Sequence, residues 1–437
     1  MATKEYNALE GTLSVRGTAT STRSGADESI ALVGGYNSNT AASGVTPNDG
    51  VLLDDPSNAS ETLGDCELSR GAAAASANGV GTVYAVPLAE TTTTETTSSA
   101  ASGTLGEAPI FNPDLHPDHD ITVTDTVSGN DVTVTVVYEQ SVTTPSEADT
   151  MNLNPITGEW AADTASDYDI QYTYGNYTDA IDAAADLDVR YVVVGTEADS
   201  VKADLVAALN DIANDFDFKR GVVGARPEID GGQTGSYTPS QRDWRLVEVA
   251  PSLGTGASGP TRSAYAVGGF MAAQPIGPDG SGLYDPVNGL VGLNTAYRAS
   301  EAKDFSGVTA ITRNGTLATT ETTSDEGQFR LIYATEIIDE VALDLFNVAS
   351  DYAGGPQDLG ELQTLLEVQC RANTRGSPPN LGFARAVDRV PFDVTTVLGN
   401  SDTVSNAGVT IVPYPIAEEV NINMTVADGF VQFEGAN

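Results

Sequence analysis

Two periods of apolar and polar residues run along this chain, and they place α/β segments on either side of a purely β middle. The apolar run over 29–36, Ser-Ile-Ala-Leu-Val-Gly-Gly-Tyr, predicts a short buried strand ended by Gly34-Gly35. The Ala-rich segment 61–78 predicts one helix stopping at Asn78-Gly79, and 82–88 a core strand. Between 89 and 166 the helical period disappears. A threonine run at 91–94 leads into Gly- and Pro-punctuated sequence. Val132, Val134 and Val136 alternate with Thr133 and Thr135, which predicts a strand over 131–138 paired with 120–126 across Ser128-Gly129-Asn130. From 167 the pattern reads helix 177–185, strand 189–194, helix 199–214, strand 220–223, strand 245–249 and a helix of small residues over 262–273. Apolar strands alternating with such helices indicate a sheet covered by helices. Further on come a hairpin across Asn314-Gly315, a strand over 329–334 and a helix over 337–351 with Ile338, Val341, Leu345 and Val348 on one face. A helix over 358–373 and strands over 394–398 and 404–412 complete the body.

The two ends are strand-like and stand apart from that body. Segment 6–20 alternates weakly around Leu13 and Val15. Near the other end Val420, Ile422, Met424 and Val426 alternate with Asn421, Asn423 and Thr425, and 430–433 follows. A lone strand with one apolar face must find a sheet edge. That edge can belong to its own chain or, by β-augmentation, to a neighbouring subunit. At 437 residues the chain exceeds the ~250–300 at which single cores tend to split. The expected organisation is an α/β (α+β) multidomain fold: an N-terminal arm 1–20, a core from 21–88 and 167–324, an inserted outward-facing β domain 89–166, a C-terminal domain 325–416 and a C-terminal strand arm 417–437.

Charge changes the picture of the surface. Lys and Arg total 20 against 61 Asp and Glu, a net charge of -41. Self-repulsion on this scale opposes the compact state in dilute buffer. The Debye length falls from about 10 Å at 0.1 M salt to about 3 Å at 1 M, so the composition fits a halophilic protein. The acids are dispersed rather than in runs, which speaks against a nucleic-acid mimic. A surface so poor in cations has no footprint for phosphate backbones, so direct nucleic-acid binding is not expected. Cys66 and Cys370 form no CxxC pair. The first ten residues lack the apolar core of a secretory signal, and no run approaches the ~18 apolar residues of a membrane span. The expectation is synthesis and assembly in the cytoplasm, without membrane insertion.

Motifs of chemistry are few. No lysine follows a glycine, which excludes a Walker A loop. Gly254-Thr-Gly256-Ala-Ser-Gly259 spells a dinucleotide loop, but the acid some 20 residues on falls in the Pro278-Asp279-Gly280 turn, and a flexible glycine-rich loop explains it better. His116 and His119 are the only histidines; they read as an exposed polar loop or as two ligands short of a metal site. Segment 279–285 has calcium-loop character without a bidentate glutamate. No catalytic residue, cofactor or metal is assigned. In 357–391, Asp358, Glu361, Glu367 and Asp388 balance Arg371, Arg375, Arg385 and Arg389, a neutral patch that reads either as internal pairing or as a contact surface.

The order of segments resembles the tail sheath proteins of contractile-tailed viruses and related injection systems. The resemblance rests on Ala31-Leu-Val-Gly-Gly-Tyr36, Asn78-Gly79 with Val83-Tyr-Ala-Val86, Gly282-Leu-Tyr-Asp-Pro-Val-Asn-Gly-Leu290, Phe329-Arg-Leu-Ile-Tyr333, and Val409-Thr-Ile-Val-Pro-Tyr-Pro-Ile-Ala-Glu-Glu-Val420. The usual opening motif and the tryptophan signatures of the middle region are absent. The resemblance implies a non-enzymatic subunit that stacks as hexameric rings into a sleeve around a tail tube and contracts. Its partners would be further copies of itself, the tube, and baseplate and tail-terminator proteins. With the charge, it implies a virion tail of a haloarchaeal virus. Leu13, Val15, Val420, Ile422, Met424 and Val426 would then lie on exchanged strands, and Arg371, Arg375, Arg385 and Arg389 would face the tube from an inner C-terminal domain. The alternatives are a cell-surface lattice protein, for which sequons at Asn58, Asn176, Asn314 and Asn423 would suit, and an α/β enzyme built on the Gly254 loop.

Overall fold

The computed structural model describes residues 9–13, 29–113, 115–116, 119–138, 142–213, 217–225, 238–256, 259–274, 287–288, 290–291, 307–311, 316–317, 320–325, 330–332, 335–336, 339, 343–345, 347–348, 359–374, 392–398, 405–411, 423–427 and 430–434. A seven-stranded sheet organises the core. In chain order its strands are β1 (Ser29–Gly34), β2 (Val51–Leu52), β3 (Thr82–Pro87), β4 (Tyr191–Val194), β5 (Arg220–Gly224), β6 (Leu246–Ala250) and β7 (Thr309–Ala310). Across the sheet they run β7-β6-β5-β4-β1-β3-β2. Only the β2–β3 pair is antiparallel. β1, β4, β5 and β6 are buried at every position. That is the environment the apolar runs of β1 and β4 require, since a parallel sheet is covered on both faces; β5 and β6 bury one charged residue each, Arg220 and Glu248.

Alternate residues serve the two faces. Ile30, Leu32, Val83, Tyr191, Val193, Val222 and Val247 pack in one apolar layer with α2 (Glu67–Ala77) and α5 (Ser263–Ala272). Ala31, Val33, Val192, Val194, Val223 and Leu246 meet α3 (Tyr177–Ala185) and α4 (Asp199–Ala213) in the other. The single helix expected over 61–78 is two. The four-residue α1 (Ser60–Leu63) ends at Gly64, whose φ is 77°. α2 then restarts with a cap in which Cys66 Sγ accepts from the Ser69 amide and Ser69 Oγ accepts from the Cys66 amide. α5 is buried along its whole length and crosses α2 so closely that a Cβ on Gly269 would lie 2.5 Å from the Ala75 carbonyl.

The β segment after Pro87 forms a second seven-stranded sheet. Its order is Ala89–Thr96, Tyr168–Asn176, Thr122–Asp125, Asn130–Val136, Thr150–Leu153, Glu159–Ser166, Ala100–Thr104. The sheet wraps a core of its own around Met151, Trp160, Ile170 and Tyr172. The threonine run is a full strand here, with Thr91–Thr94 opposite Tyr174–Gln171. Tyr168–Asn176 belongs to this sheet, although the α/β pattern was expected to resume at 167.

In the C-terminal part, the described residues 330–332 of the strand expected over 329–334 do not form a strand. Leu331 makes one isolated bridge to Glu321, and Ile332, Thr335, Glu336 and Asp339 are helical. Helix α6 (Leu359–Thr374) matches its expected position, and its Leu366 and Cys370 join the α2/α5 layer. Leu9–Leu13 pairs antiparallel with Ser405–Ile411, which also pairs with Phe392–Leu398. Asn423–Ala427 and Phe430–Glu434 form a hairpin. Among the described residues no helix is long and apolar enough to cross a membrane.

Candidate functional site

The expected assembly residues divide between the described and undescribed parts. Leu13 closes the first strand opposite Ala407. Met424 and Val426 lie opposite Phe433 and Val431 within the terminal hairpin. Val15, Val420, Ile422, Arg375, Arg385 and Arg389 lie outside the described residues, as does segment 279–285. Arg371 is exposed on α6, 3.9 Å from Glu367 one turn back. The same helix leaves Leu365 and Val368 exposed.

Gly254–Gly259 is neither a phosphate turn nor a free loop. Leu253–Gly256 pairs with Gly259–Arg262, Gly254 opposite Thr261, as an antiparallel hairpin leading into α5. The hairpin delivers Arg262 to the carboxyl ends of β1 and β4. These two strands flank the point where the strand order reverses, which is where doubly wound sheets take their ligands. Here the crevice is filled by the chain's own side chains. Arg262 Nε donates to Glu67 Oε1 at 2.5 Å, and its Nη1 donates to Glu197. Tyr265 OH lies 3.1 Å from the Val33 carbonyl. A Cβ on Gly34 would lie 2.4 Å from that hydroxyl, and one on Gly195 would lie 2.0 Å from it. Burial alone would push the Glu67 carboxyl up, but the Arg262 guanidinium, aided by His116, holds it below the usual carboxylate range. Burial, with Glu67 next, pushes the Tyr265 and Tyr177 phenols up. Between Phe111, His116, Tyr177 and Arg262 there remains space for about one water molecule.

The histidines are not on an exposed loop. His116 is 3% exposed and its Nε2 lies 2.6 Å from Glu67 Oε2. His119 Nε2 lies 3.1 Å from Glu90 Oε2. Both rings stack on Phe111, with centroids 4.5 and 5.0 Å away. The sequence offered no signal for this, because their carboxylate partners come from remote segments.

At the amino ends of the strands a second buried cluster appears, which sequence reasoning missed. Arg190, Arg220 and Arg245 stand at the starts of adjacent β4, β5 and β6, all buried. Glu336 and Asp339, one helical turn apart, answer them. Arg190 Nη2 is 2.6 Å from Glu336 Oε1, Arg220 Nη2 2.7 Å from Asp339 Oδ2, and Arg245 Nη2 3.4 Å from Asp339 Oδ1. Arg190 also donates to the Gln274 carbonyl at 2.7 Å, and Arg245 stacks on Trp244 at 4.2 Å. Burial, then Arg220 beside it, lowers the Arg245 pKa, against the opposing charge of Asp339. A repeat was visible in the sequence: Asp188-Val-Arg190, Asp217-Phe-Lys-Arg220 and Asp243-Trp-Arg245 each precede a strand. Its meaning needs the parallel register, which sets Tyr191 beside Arg220 and Gly221 beside Leu246.

Among the described residues no group of three His, Cys, Asp or Glu is placed to hold a metal ion. No protein-family model and no curated protein matches the sequence. Solved structures do match the fold. A chain of the anti-feeding prophage (AFP) baseplate, 6-fold symmetrised, is similar over 98% of this chain and 98% of that one, with 10% identity and a TM-score of 0.54. A chain of the AFP helical sheath in its contracted state is similar over 96% and 98%, with 10% identity and a TM-score of 0.53. The chain therefore has a sheath-like fold.

Proposed function

We propose that this chain is the structural subunit of a contractile sheath, stacking as hexameric rings around a tail tube and shortening to drive the tube through an envelope. The observation that carries the reading is the near end-to-end likeness to a contracted helical sheath. The filled crevice at the switch point supports a role without catalysis, since the position where such sheets take substrates is packed with Glu67, Arg262 and Tyr265. With no fuel, the work comes from a metastable assembled state that relaxes by rigid-body shifts. The remaining partners in this reading are a baseplate and a tail terminator, and the salt-adapted surface fits the virion tail of a haloarchaeal virus assembled in its host's cytoplasm.

The ends are the proposed links between copies. Leu9–Leu13 occupies a slot beside Ser405–Ile411, and the 15 residues 14–28 span up to about 50 Å when extended. The same strand can therefore fill the same slot on a neighbour, as in a domain swap. The terminal hairpin, marginal as two strands alone, gains by joining another sheet. In this reading 1–20 and 417–437 are arms, 325–416 is the inner domain, and Arg371, Arg375, Arg385 and Arg389 face the tube. Negative-stain microscopy of the purified chain at high salt tests the proposal. Striated tubes or stacked rings are expected. Two-dimensional lattices would instead establish a surface-layer role, and dispersed monomers at all concentrations would overturn polymerisation.

A further inference from the structure

The inserted β domain is joined to the core by two strands that cross side by side, since Ala89 and Asn176 are direct partners in the ladder. A two-stranded ribbon is a weak support for a domain of seven strands, because it twists readily. A third connection runs through the segment after the Ala108-Pro109 bond. Phe111 is buried in the core layer of Val86, Leu88 and Tyr177, while its amide donates to the Thr173 carbonyl of the inserted sheet at 2.9 Å. Leu115 and His116 follow in a turn on the Asn112 carbonyl. Arg70, on α2, donates to the Leu115 carbonyl. His116 reaches past Gly35 to Glu67; a Cβ on Gly35 would lie 2.3 Å from the imidazole Cε1. The segment is thus tied to the inserted sheet at Ile110 and Phe111 and to core elements far away in sequence at Leu115 and His116.

We propose that this segment is a strap that holds the inserted domain in one orientation on the core, with His116 as the residue that fastens it. The strap fills the ligand position of the sheet and in doing so converts a hinge into a rigid mount. This inference concerns the single chain and stands or falls apart from sheath assembly.

Nitroxide labels on Val127→Cys, at the exposed tip of the inserted sheet, and on Asp211→Cys, on the exposed side of α4, read the orientation as a distance distribution by pulsed electron resonance; both native cysteines are buried. The unaltered strap is expected to give one narrow distance. His116→Ala, and independently Gly35→Ala, which expels the ring from the core side, should broaden it while the circular dichroism spectrum is kept. His116→Gln, which retains a donor for Glu67, should restore the narrow distribution. An unchanged width in His116→Ala or Gly35→Ala would overturn the strap, as would failure of the glutamine to rescue. If neither variant folds, hydrogen exchange of the unaltered chain decides. Leu115 and His116 amides exchanging at least about tenfold faster than those of Val192 and Val193 support a separately fastened strap, and equal rates refute it.

Discussion

At the scale of single residues, the fold depends on carboxylates that each serve more than one partner. Asp339 separates the Arg220 and Arg245 guanidinium groups, and both arginines are buried. Asp339→Asn leaves two like charges facing one another out of water. Breaking a buried pair in this way costs about 3–5 kcal/mol, and denaturant titration should show a loss of that order. Replacing Thr335, a neutral group whose hydroxyl accepts from Arg220 Nε and donates to the Ile332 carbonyl, should cost less. Glu67 makes a different prediction, in pH. Its carboxyl is held below the ordinary value of 4.5, so it is ionised more readily folded than unfolded. The stability it contributes is fully present above that ordinary value and is lost as the pH falls through its lower folded one. Glu67→Gln should therefore weaken the chain at neutral pH and flatten the acid limb of its stability curve; an acid limb unchanged in slope would show that Glu67 is not the titrating group.

Elements add constraints that no single contact expresses. Gly269 lies in a helix, where alanine ordinarily gains ~1 kcal/mol over glycine. The α2–α5 crossing reverses that sign, because the added methyl would strike the Ala75 backbone. Gly269→Ala should lower stability by about 1–3 kcal/mol, measurable as a lower melting temperature. The terminal strand acts at the same scale. Deleting 6–18 should leave the core sheet folded, since no other described strand pairs with Leu9–Leu13 beyond Ser405–Ile411. In the proposed sleeve it should abolish polymerisation; sleeves that still form would refute strand exchange. The elements most legible in the sequence were those with one dominant period. The apolar runs of β1, β4 and β5 and the amphipathic α3, α4 and α6 lie within a few residues of expectation. Failures came where a local signal was overruled from afar. Leu331 and Ile332 carry a strand-like pattern but sit in the α2/α5 layer as a bridge and a helix start. The break at Gly64 hides inside an otherwise helical composition, and only its φ reveals it. The buried charge clusters were illegible because their members come from segments up to 195 residues apart, as in Arg262 with Glu67.

On the scale of the whole molecule, the net charge of -41 and the burial of cations act together. Among the described residues Arg190, Lys202, Lys219, Arg220, Arg245 and Arg262 are all inside, matched by buried Glu67, Glu197, Glu248, Glu321, Glu336 and Asp339, so the buried set is near neutral and the excess of acids lies outside it. Lys202 faces Glu248 at 3.3 Å with both fully buried. Such internal pairs are screened little by salt, while the repulsion among outer acids is screened strongly. Raising salt from 0.1 to several molar should therefore raise the melting temperature, and a fall over that range would contradict this division of roles.

The interior placement of these six cations also has an evolutionary consequence. If the chain is salt-adapted as proposed, a descendant in fresh water would relieve its repulsion by exchanging outer acids for lysine, one at a time and at little structural cost. The same exchange at the strand starts would have to change a guanidinium and its remote carboxylate together. Relatives from dilute habitats are expected to differ freely over the outside yet keep Arg190, Arg220 and Arg245 with Glu336 and Asp339, so this internal set can mark common descent where overall identity has decayed.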